Sequence, residues 1–241
     1  MKTIALIPAR YAATRFPGKL MATLGNKSVI RCTYDSVYKT NLFDDVIVVT
    51  DSTIIENEII QHGGKALLST KQHESGTDRI AEAAENLEAD IFVNVQGDTP
   101  FAKKGPLERL INVFGQDKNV QVASLMQPLS DPLCIADPNY VKVAVDGNFN
   151  ALFFSRSVIP YPRNKNITIP YYEHIGVYAF RRQMLMQFTK WPVTPLEDAE
   201  KIECLRYLEN GISIKMILSE YMGVEIDTPE DLKKAEAETL K

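Results

Sequence analysis

The sequence predicts an α/β fold with a mostly parallel central sheet. Two short apolar runs, 4–8 and 45–50, have the composition of buried strands, because no polar alternation interrupts them and the second is rich in β-branched residues. Segments with the apolar spacing of helices lie between such runs. The resulting order over residues 4–68 is strand, loop, helix, strand, helix, strand, which is typical of a parallel sheet covered by helices.

The first part of the chain supplies most of the predicted sheet. The first strand is expected to end at Pro8, because proline cannot donate a hydrogen bond to a neighbouring strand. Asp51 is expected to help start a helix in which Thr53 and Glu56 have capping-box spacing. The predicted strands of this part are at 4–8, 45–50, 65–68 and 91–95. The predicted helices are at 28–38, at 80–87, and in a segment that starts within 51–56 and ends at 63–64.

The later part of the chain is predicted to add a β-rich insertion at about 120–180. Asp146-Gly147 lies between two alternating runs and indicates a hairpin. A helix over 196–208 is expected to turn its leucines and Ile202 inward and its acids outward. We predict a single domain over 1–241. The remaining predicted elements are strands at 122–126, 141–145, 149–154, 172–180, 212–217 and 223–226, and a last helix at 232–240.

Composition excludes several classes of function. The formal net charge of −4 argues against extended nucleic-acid binding. The three cysteines are an odd number without metal-ligand spacing, which favours a reducing compartment. The first apolar run is too short for the core of a signal peptide, and no later run could span a bilayer. We therefore expect a soluble, cytoplasmic protein without stable membrane association.

The loop after the first strand carries three cations, Arg10, Arg15 and Lys19, separated by small residues that let a ligand approach the backbone. Fixed positive charges at the carboxyl end of a first strand suit a polyanion such as a triphosphate. A solvated basic loop is the usual explanation of such a pattern. Its position at the ligand-binding edge of an open α/β sheet favours the binding site.

Two further motifs follow predicted strands or begin predicted helices. Ser75-Gly76-Thr77 could hold a polar ring or phosphate at a helix start, or could simply cap the helix. Asp98 follows Gly97 at the end of the strand at 91–95, where its carboxylate could hold Mg²⁺ beside phosphates or cap the next turn.

Six motifs are spread over nearly the whole chain, at 7–11 with Arg15, Pro17 and Lys19, and then at 75–79, 95–98, 153–156, 173–178 and 223–231. In this order they resemble the motifs of the 3-deoxy-manno-octulosonate cytidylyltransferases, the CMP-Kdo synthetases. This resemblance implies a nucleotidyltransferase-type α/β/α sandwich and a homodimer built partly through the insertion. It also implies transfer of CMP from CTP to the acidic 3-deoxy sugar Kdo, for lipopolysaccharide synthesis, with Mg²⁺ as cofactor.

The resemblance also implies roles for individual residues. Arg10, Arg15 and Lys19 would bind the CTP phosphates, and Asp98 and Asp227 would hold Mg²⁺, so that Arg10, Lys19 and the two aspartates form the catalytic set. The remaining assignments are to the cytidine pocket, with Ser75, Gly76, Thr77, Arg79 and Gln96, and to the sugar acid, with Arg156, His174, Tyr178 and Glu203.

Other interpretations stay open at this point. Thr99 and Cys204 replace a glutamate and an amide of the family pattern, which leaves a related acceptor such as 8-amino-Kdo or a nonulosonate as an alternative to Kdo. A CTP-binding regulator without turnover is a second alternative. His174 could equally be a buried, hydrogen-bonded strand histidine. A dinucleotide-dependent dehydrogenase fits poorly, because the first turn has cations in place of a GxGxxG motif.

Overall fold

The computed structural model describes residues 1–12, 16–71, 73, 75–220 and 222–239. The chain forms two compact units, which we call unit 1 (Met1–Glu108 and Met222–Lys241) and unit 2 (Arg109–Tyr221). The insertion expected at about 120–180 lies inside unit 2. The single-domain organisation stays a prediction.

Eleven strands are present in the described part of the chain. They are β1 Thr3–Ala9, β2 Thr23–Leu24, β3 Lys27–Ser28, β4 Asp45–Thr50, β5 Ala66–Leu68, β6 Ile91–Asn94, β7 Val122–Leu129, β8 Lys142–Val145, β9 Ala151–Ser155, β10 Tyr171–Arg181 and β11 Ile214–Leu218.

The helices alternate with these strands, and a short 3₁₀ helix spans Lys19–Met21. The α-helices are α1 Val29–Lys39, α2 Thr53–Gln61, α3 Gly76–Glu85, α4 Lys104–Gln116, α5 Pro132–Ala136, α6 Arg182–Phe188, α7 Pro195–Glu200, α8 Leu205–Glu209 and α9 Pro229–Thr239. None of the described helices combines the length and the apolar character that a membrane span requires.

Unit 1 contains the parallel sheet that the sequence predicts, in the strand order β6-β1-β4-β5. Leu6 of β1 lies opposite Ile47 of β4 and Asn94 of β6. All seven residues of β1 are buried, as expected for a strand covered on both faces. β1 continues one residue past Pro8 to Ala9, because proline lacks only the donor of a sheet hydrogen bond.

Unit 2 contains a mixed sheet in which β10 pairs antiparallel with β7 and β8, and β11 runs parallel to β7. β8 and β9 form the predicted hairpin. Its turn is held by Asp146, whose carboxylate accepts hydrogen bonds from the backbone N–H groups of Asn148 and Asn150, both at 2.8 Å. The hairpin prediction is therefore confirmed.

Two predicted elements of the later chain are wrong. The helix expected over 196–208 is broken into α7 and α8, because Lys201 adopts a left-handed conformation with a φ of 53°. Leu196 is 42% exposed instead of inward, whereas Glu197 is buried. Residues 223–226 form no strand; the Ile226 N–H instead donates to the carbonyl of Asp98 at 3.0 Å.

Candidate active site

A cleft of about 370 Å³ opens in unit 1 at the carboxyl ends of β1 and β6. Most of the residues expected to bind CTP and metal line it, which places them at the edge where open α/β sheets bind ligands. The residues that line the cleft are Pro8, Arg10, Ala12, Phe16, Lys19, Leu20, Gly76, Arg79, Gln96, Gly97, Asp98 and Asp227.

Lys19 joins the two aspartates that are far apart in sequence. Its Nζ lies 2.5 Å from Oδ2 of Asp98 and 2.8 Å from Oδ1 of Asp227. Burial alone would lower the pKa of Lys19, but the two carboxylates outweigh that effect and raise the pKa above its ordinary value. The structure thus brings together the predicted acidic pair and one of the predicted cations.

The backbone around the aspartates explains why they meet. Gly97 lies so close to β1 that a Cβ atom there would be 2.9 Å from the Pro8 carbonyl oxygen, and this approach requires glycine. The Thr33 hydroxyl holds the Gly97 carbonyl at 2.8 Å. The bond from Ile226 N–H to the Asp98 carbonyl then places Asp227 beside Asp98.

The polar wall of the cleft comes from the start of α3. Ser75 caps this helix, because its hydroxyl accepts a hydrogen bond from the Asp78 N–H at 3.1 Å. The structure therefore shows the capping role that was one of the two interpretations of this motif. Gly76 faces the Gln96 side chain, since a Cβ at position 76 would lie 3.6 Å from the Gln96 amide oxygen. Thr77 is 1% exposed and lies in the first turn.

Arg79 contributes a buried guanidinium to the same wall. The residue is 2% exposed, and its Nη2 donates to Asp51 Oδ2 at 2.8 Å. Nε and Nη1 have no hydrogen-bond partner among the described residues. Asp51, which we expected to help cap α2, instead pairs with Arg79; the N-cap of α2 is Ser52. A pairing across such a distance in sequence leaves no local signal.

Several residues of the cleft were not predicted. Phe16 and Leu20 supply apolar surface, and their position within the basic loop is the only sequence signal that points to them. Arg15, which the resemblance assigns to the phosphates, lies outside the described residues.

The residues assigned to the sugar acid all lie in unit 2. His174 and Tyr178 are on β10, and their ring centroids are 5.2 Å apart. Glu203 lies between α7 and α8, next to Cys204. Burial raises the pKa of the Cys204 thiol, and the nearby charge of Glu203 raises it further. A hydrogen bond with Tyr178 lowers the pKa and so offsets part of this rise. Three of the four residues are therefore linked around Tyr178 and Cys204.

His174 is enclosed by other groups. Its ring centroid is 4.8 Å from that of Phe154, and its Nε2 lies 3.0 Å from the Ser124 hydroxyl. Burial lowers the pKa of His174 to about 3, so the imidazole is neutral at neutral pH. His174 is thus a hydrogen-bonded strand histidine that keeps intermediate exposure, and the ligand role stays a prediction.

The lowered pKa of His174 should make folding stability depend on pH. The unfolded chain takes up a proton near pH 6.5 and the folded chain only near pH 3, so stability is lost as the pH falls through this window. We expect His174→Asn to remove on the order of 2 kcal/mol of the stability change between about pH 7 and pH 4.5. Denaturant unfolding of the wild type and the variant at both pH values measures this change in the free energy of unfolding.

His62→Asn is the matched control, because the His62 side chain is 44% exposed. It should leave the pH dependence of the wild type unchanged. A His174→Asn variant with the same pH dependence as the wild type would contradict the prediction.

The chemistry of the acidic pair fits Mg²⁺. Oxygen donors are the ligands that Mg²⁺ prefers, and one or two carboxylates with substrate phosphates and water complete its usual coordination. Asp98 and Asp227 supply two carboxylates within hydrogen-bond distance of one ammonium. In the part of the chain that the structure describes, no group of three or more His, Cys, Asp or Glu side chains could hold a metal by itself. The pair therefore suits a metal that arrives with further ligands.

Comparison with known proteins identifies the family. The sequence profile of a family described as "Cytidylyltransferase" matches residues 4–216. A protein of Flavobacterium johnsoniae named 3-deoxy-manno-octulosonate cytidylyltransferase is 56% identical over 239 residues, which cover 98% of each chain. The chain belongs to the 3-deoxy-manno-octulosonate cytidylyltransferase family. The resemblance found from the six motifs is thereby confirmed.

Other members of the 3-deoxy-manno-octulosonate cytidylyltransferase family support the same assignment. A Christiangramia forsetii protein of that name is 52% identical over 97% of this chain and 95% of its own. A solved structure of a CMP:2-keto-3-deoxy-manno-octonic acid synthetase complexed with CTP superposes with a TM-score of 0.95. It is 37% identical and covers 100% of this chain and 99% of its own. The predicted α/β nucleotidyltransferase fold is confirmed.

Proposed function

We propose that the protein transfers CMP from CTP to the anomeric hydroxyl of 3-deoxy-D-manno-octulosonate (Kdo), giving CMP-Kdo and pyrophosphate for lipopolysaccharide synthesis. The observation that carries the proposal is the meeting of Lys19, Asp98 and Asp227 in a cleft that Arg10 and Arg79 also line. Family membership supports the same reaction. Such a transfer depends mainly on positioning and charge stabilisation, which is what these side chains can supply.

The cations of the first loop are assigned to the triphosphate. Arg10 and Lys19 line the cleft, and Arg15 belongs to the same loop in sequence. Their charges would hold the phosphates in line for attack and stabilise the charge that moves onto the leaving pyrophosphate. Asp98 and Asp227 would hold Mg²⁺, which when bound supplies a positive charge to the phosphate oxygens and orients the acceptor.

The start of α3 is assigned to the cytidine. Ser75, Gly76 and Thr77 would line the nucleoside with backbone and hydroxyl groups, and Gln96 would add an amide. Arg79 would use the two nitrogens, Nε and Nη1, that have no partner among the described residues. A buried donor without a partner costs about 1–3 kcal/mol, and a base or ribose oxygen would remove that cost.

Arg79→Gln is expected to raise the KM for CTP by about 10–100-fold, because it removes charged donors from the polar wall of the cleft. The fold should tolerate the change, since the partner Asp51 has a side chain that is 43% exposed and stays hydrated. Steady-state kinetics with varied CTP measures the effect.

Arg109→Gln serves as its control, because the Arg109 side chain is 46% exposed. Its one ion pair among the described residues is a long contact of 3.9 Å with the exposed Glu220. An unchanged KM for CTP in Arg79→Gln would remove Arg79 from the nucleotide site.

The sugar acid is assigned to residues of unit 2. Arg156 would pair with its carboxylate, and His174, Tyr178 and Glu203 would bind its hydroxyl groups. An imidazole with a pKa of about 3 is a weak proton acceptor at neutral pH, so we assign His174 to positioning and not to base catalysis.

We propose that the protein is a cytoplasmic homodimer that needs neither nucleic acid nor a membrane. Unit 2 has a surface that could form the dimer contact. Among the described strands β9 pairs only with β8, and its Leu152 is 63% exposed. Light scattering after size exclusion tests the assembly. The exposed large apolar residues of unit 2 are Leu133, Phe149, Leu152, Tyr161, Ile167, Val193, Leu196 and Leu218.

The deciding experiment is CTP-dependent pyrophosphate release with Kdo, 8-amino-Kdo and a nonulosonic acid as separate acceptors. We expect Kdo to give the highest kcat/KM. Greater activity with another acid would favour a cytidylyltransferase for that related sugar, the alternative that Thr99 and Cys204 suggest. Both of these residues are buried, at 2% and 0% exposure. CTP binding without turnover on any acceptor would favour the regulator.

A further inference from the structure

We propose that Lys142 is a positioning residue for the acid acceptor: its buried ammonium fills a cage of three main-chain carbonyls and thereby fixes Arg156. The inference rests on the proposed function, since it concerns how the side chain assigned to the sugar carboxylate is held. All of the groups that carry it lie in unit 2.

The surroundings of Lys142 are unusual for a lysine. The residue is 0% exposed and begins β8. Its Nζ donates to the carbonyl oxygens of Asp137 at 3.0 Å, Tyr140 at 2.6 Å and Arg156 at 2.6 Å. An ammonium has three N–H donors, and three acceptors satisfy all of them. In the described residues no carboxylate lies within ion-pair distance of Lys142, so carbonyl dipoles alone meet the charge at close range.

The energetic cost of this arrangement points to a specific role. Burial lowers the pKa of Lys142, partly offset by the carboxylate of Asp137, because removing an ammonium from water disfavours its charged form. A methionine of similar length would fill the same space without that cost. What only the ammonium provides is a single point that joins three carbonyls from two backbone segments, 137–140 and the one at Arg156.

These two segments determine where Arg156 points. Lys142 holds the backbone carbonyl of Arg156 directly. It also holds residues on both sides of Pro138, whose carbonyl accepts a hydrogen bond from Nη1 of Arg156 at 3.0 Å. Lys142 therefore fixes the backbone of Arg156 and the segment that orients its guanidinium.

Glu200 completes the hold on Arg156. Its backbone carbonyl accepts from Nε of Arg156 at 2.8 Å, and its carboxylate accepts from the Arg156 backbone N–H at 2.9 Å. Nη2 takes part in none of these bonds among the described residues, and we assign it to the ligand carboxylate. A guanidinium held by its Nε and Nη1 loses little freedom on binding, which favours affinity for the acid.

Kinetics of Lys142→Met test the positioning. We expect the KM for Kdo to rise about 10-fold or more while the KM for CTP stays within about 2-fold, because Arg156 loses its fixed orientation. Arg156→Ala should raise the KM for Kdo similarly, and adding Lys142→Met to it should change nothing further. Equal changes in both KM values, or full additivity of the two substitutions, would overturn the inference.

Chemical rescue tests the cage itself. In Lys142→Ala, added NH₄⁺ can donate to the vacated carbonyls, whereas tetramethylammonium has no N–H group. We expect NH₄Cl to raise the melting temperature of this variant and lower its KM for Kdo, relative to tetramethylammonium chloride at equal ionic strength. The wild type should respond equally to both salts. If the melting temperature and the KM for Kdo of the variant respond equally to both salts, the carbonyl cage has no role in holding this region.

The two proposals fail in distinguishable ways. A wild type that releases no pyrophosphate with Kdo would end the proposed function, and the NH₄⁺-dependent melting temperature would still decide on the cage. If Lys142→Ala does not fold, refolding it in NH₄Cl against tetramethylammonium chloride gives the same comparison, with recovery only in NH₄Cl as the expected result and no difference as the contrary one.

Discussion

Asp98→Asn and Asp227→Asn are each expected to lower kcat for pyrophosphate release by about 10²–10³-fold, a loss typical of removing one group that stabilises transition-state charge. Both side chains meet at Lys19 in the cleft, and an amide lacks the negative charge that holds the ammonium and that would bind Mg²⁺ strongly. Steady-state assays with CTP and Kdo at several Mg²⁺ concentrations measure the loss.

The fold should survive both substitutions, because the Asp98 and Asp227 side chains keep 21% and 41% exposure and an amide there stays hydrated. Asp198→Asn is the control: its side chain is 67% exposed on α7 and pairs only locally with Lys201. That variant should retain wild-type turnover. Near-normal kcat in either cleft variant would remove that aspartate from the catalytic set.

Glu197→Gln is expected to lower the free energy of unfolding by about 3–5 kcal/mol, as when one partner of a buried ion pair is removed. Oε1 and Oε2 of Glu197 accept from Nη2 and Nε of Arg206 at 2.6 and 2.7 Å. The side chains are only 9% and 4% exposed. The guanidinium also lies over the Phe188 ring, 4.0 Å from its centroid, so the substitution removes the carboxylate that faces a buried charge.

Denaturant unfolding at pH 7 measures this loss. Asp198→Asn again provides the comparison, since it removes a carboxylate one position further along the same helix from an exposed pair. Exposed pairs contribute about 0–1 kcal/mol, so the control should unfold close to the wild type. Equal losses for both variants would show that the Glu197 pair is not the source of the stability.

The parallel sheet and the cleft could be predicted from sequence because their signals are local. Continuous apolar runs indicate buried strands, and the residues that follow such strands share one edge of a parallel sheet. Arg10, Lys19 and Asp98 could be placed at that edge on this basis. The meeting with Asp227 needed the family resemblance, because no local pattern links the end of the chain to β6.

What sequence could not give is the pairing of charges in three dimensions. Glu197 has the pattern of a solvent-facing helix residue, yet it is buried because Arg206 folds back onto it from α8. Asp51 has the pattern of a cap, yet it pairs with Arg79. The cage around Lys142 is equally invisible in sequence, since backbone carbonyls leave no trace in the choice of side chains.

The position of Lys19 between two acids has a consequence for how the cleft folds. Neighbouring carboxylates normally repel each other or retain a proton, and either effect disfavours an ordered site. Here the neutralising charge is covalently part of the chain. The chain can therefore fold this region without taking up an ion from solution, and bound phosphates would alter a charge balance that Lys19 and the two aspartates already set.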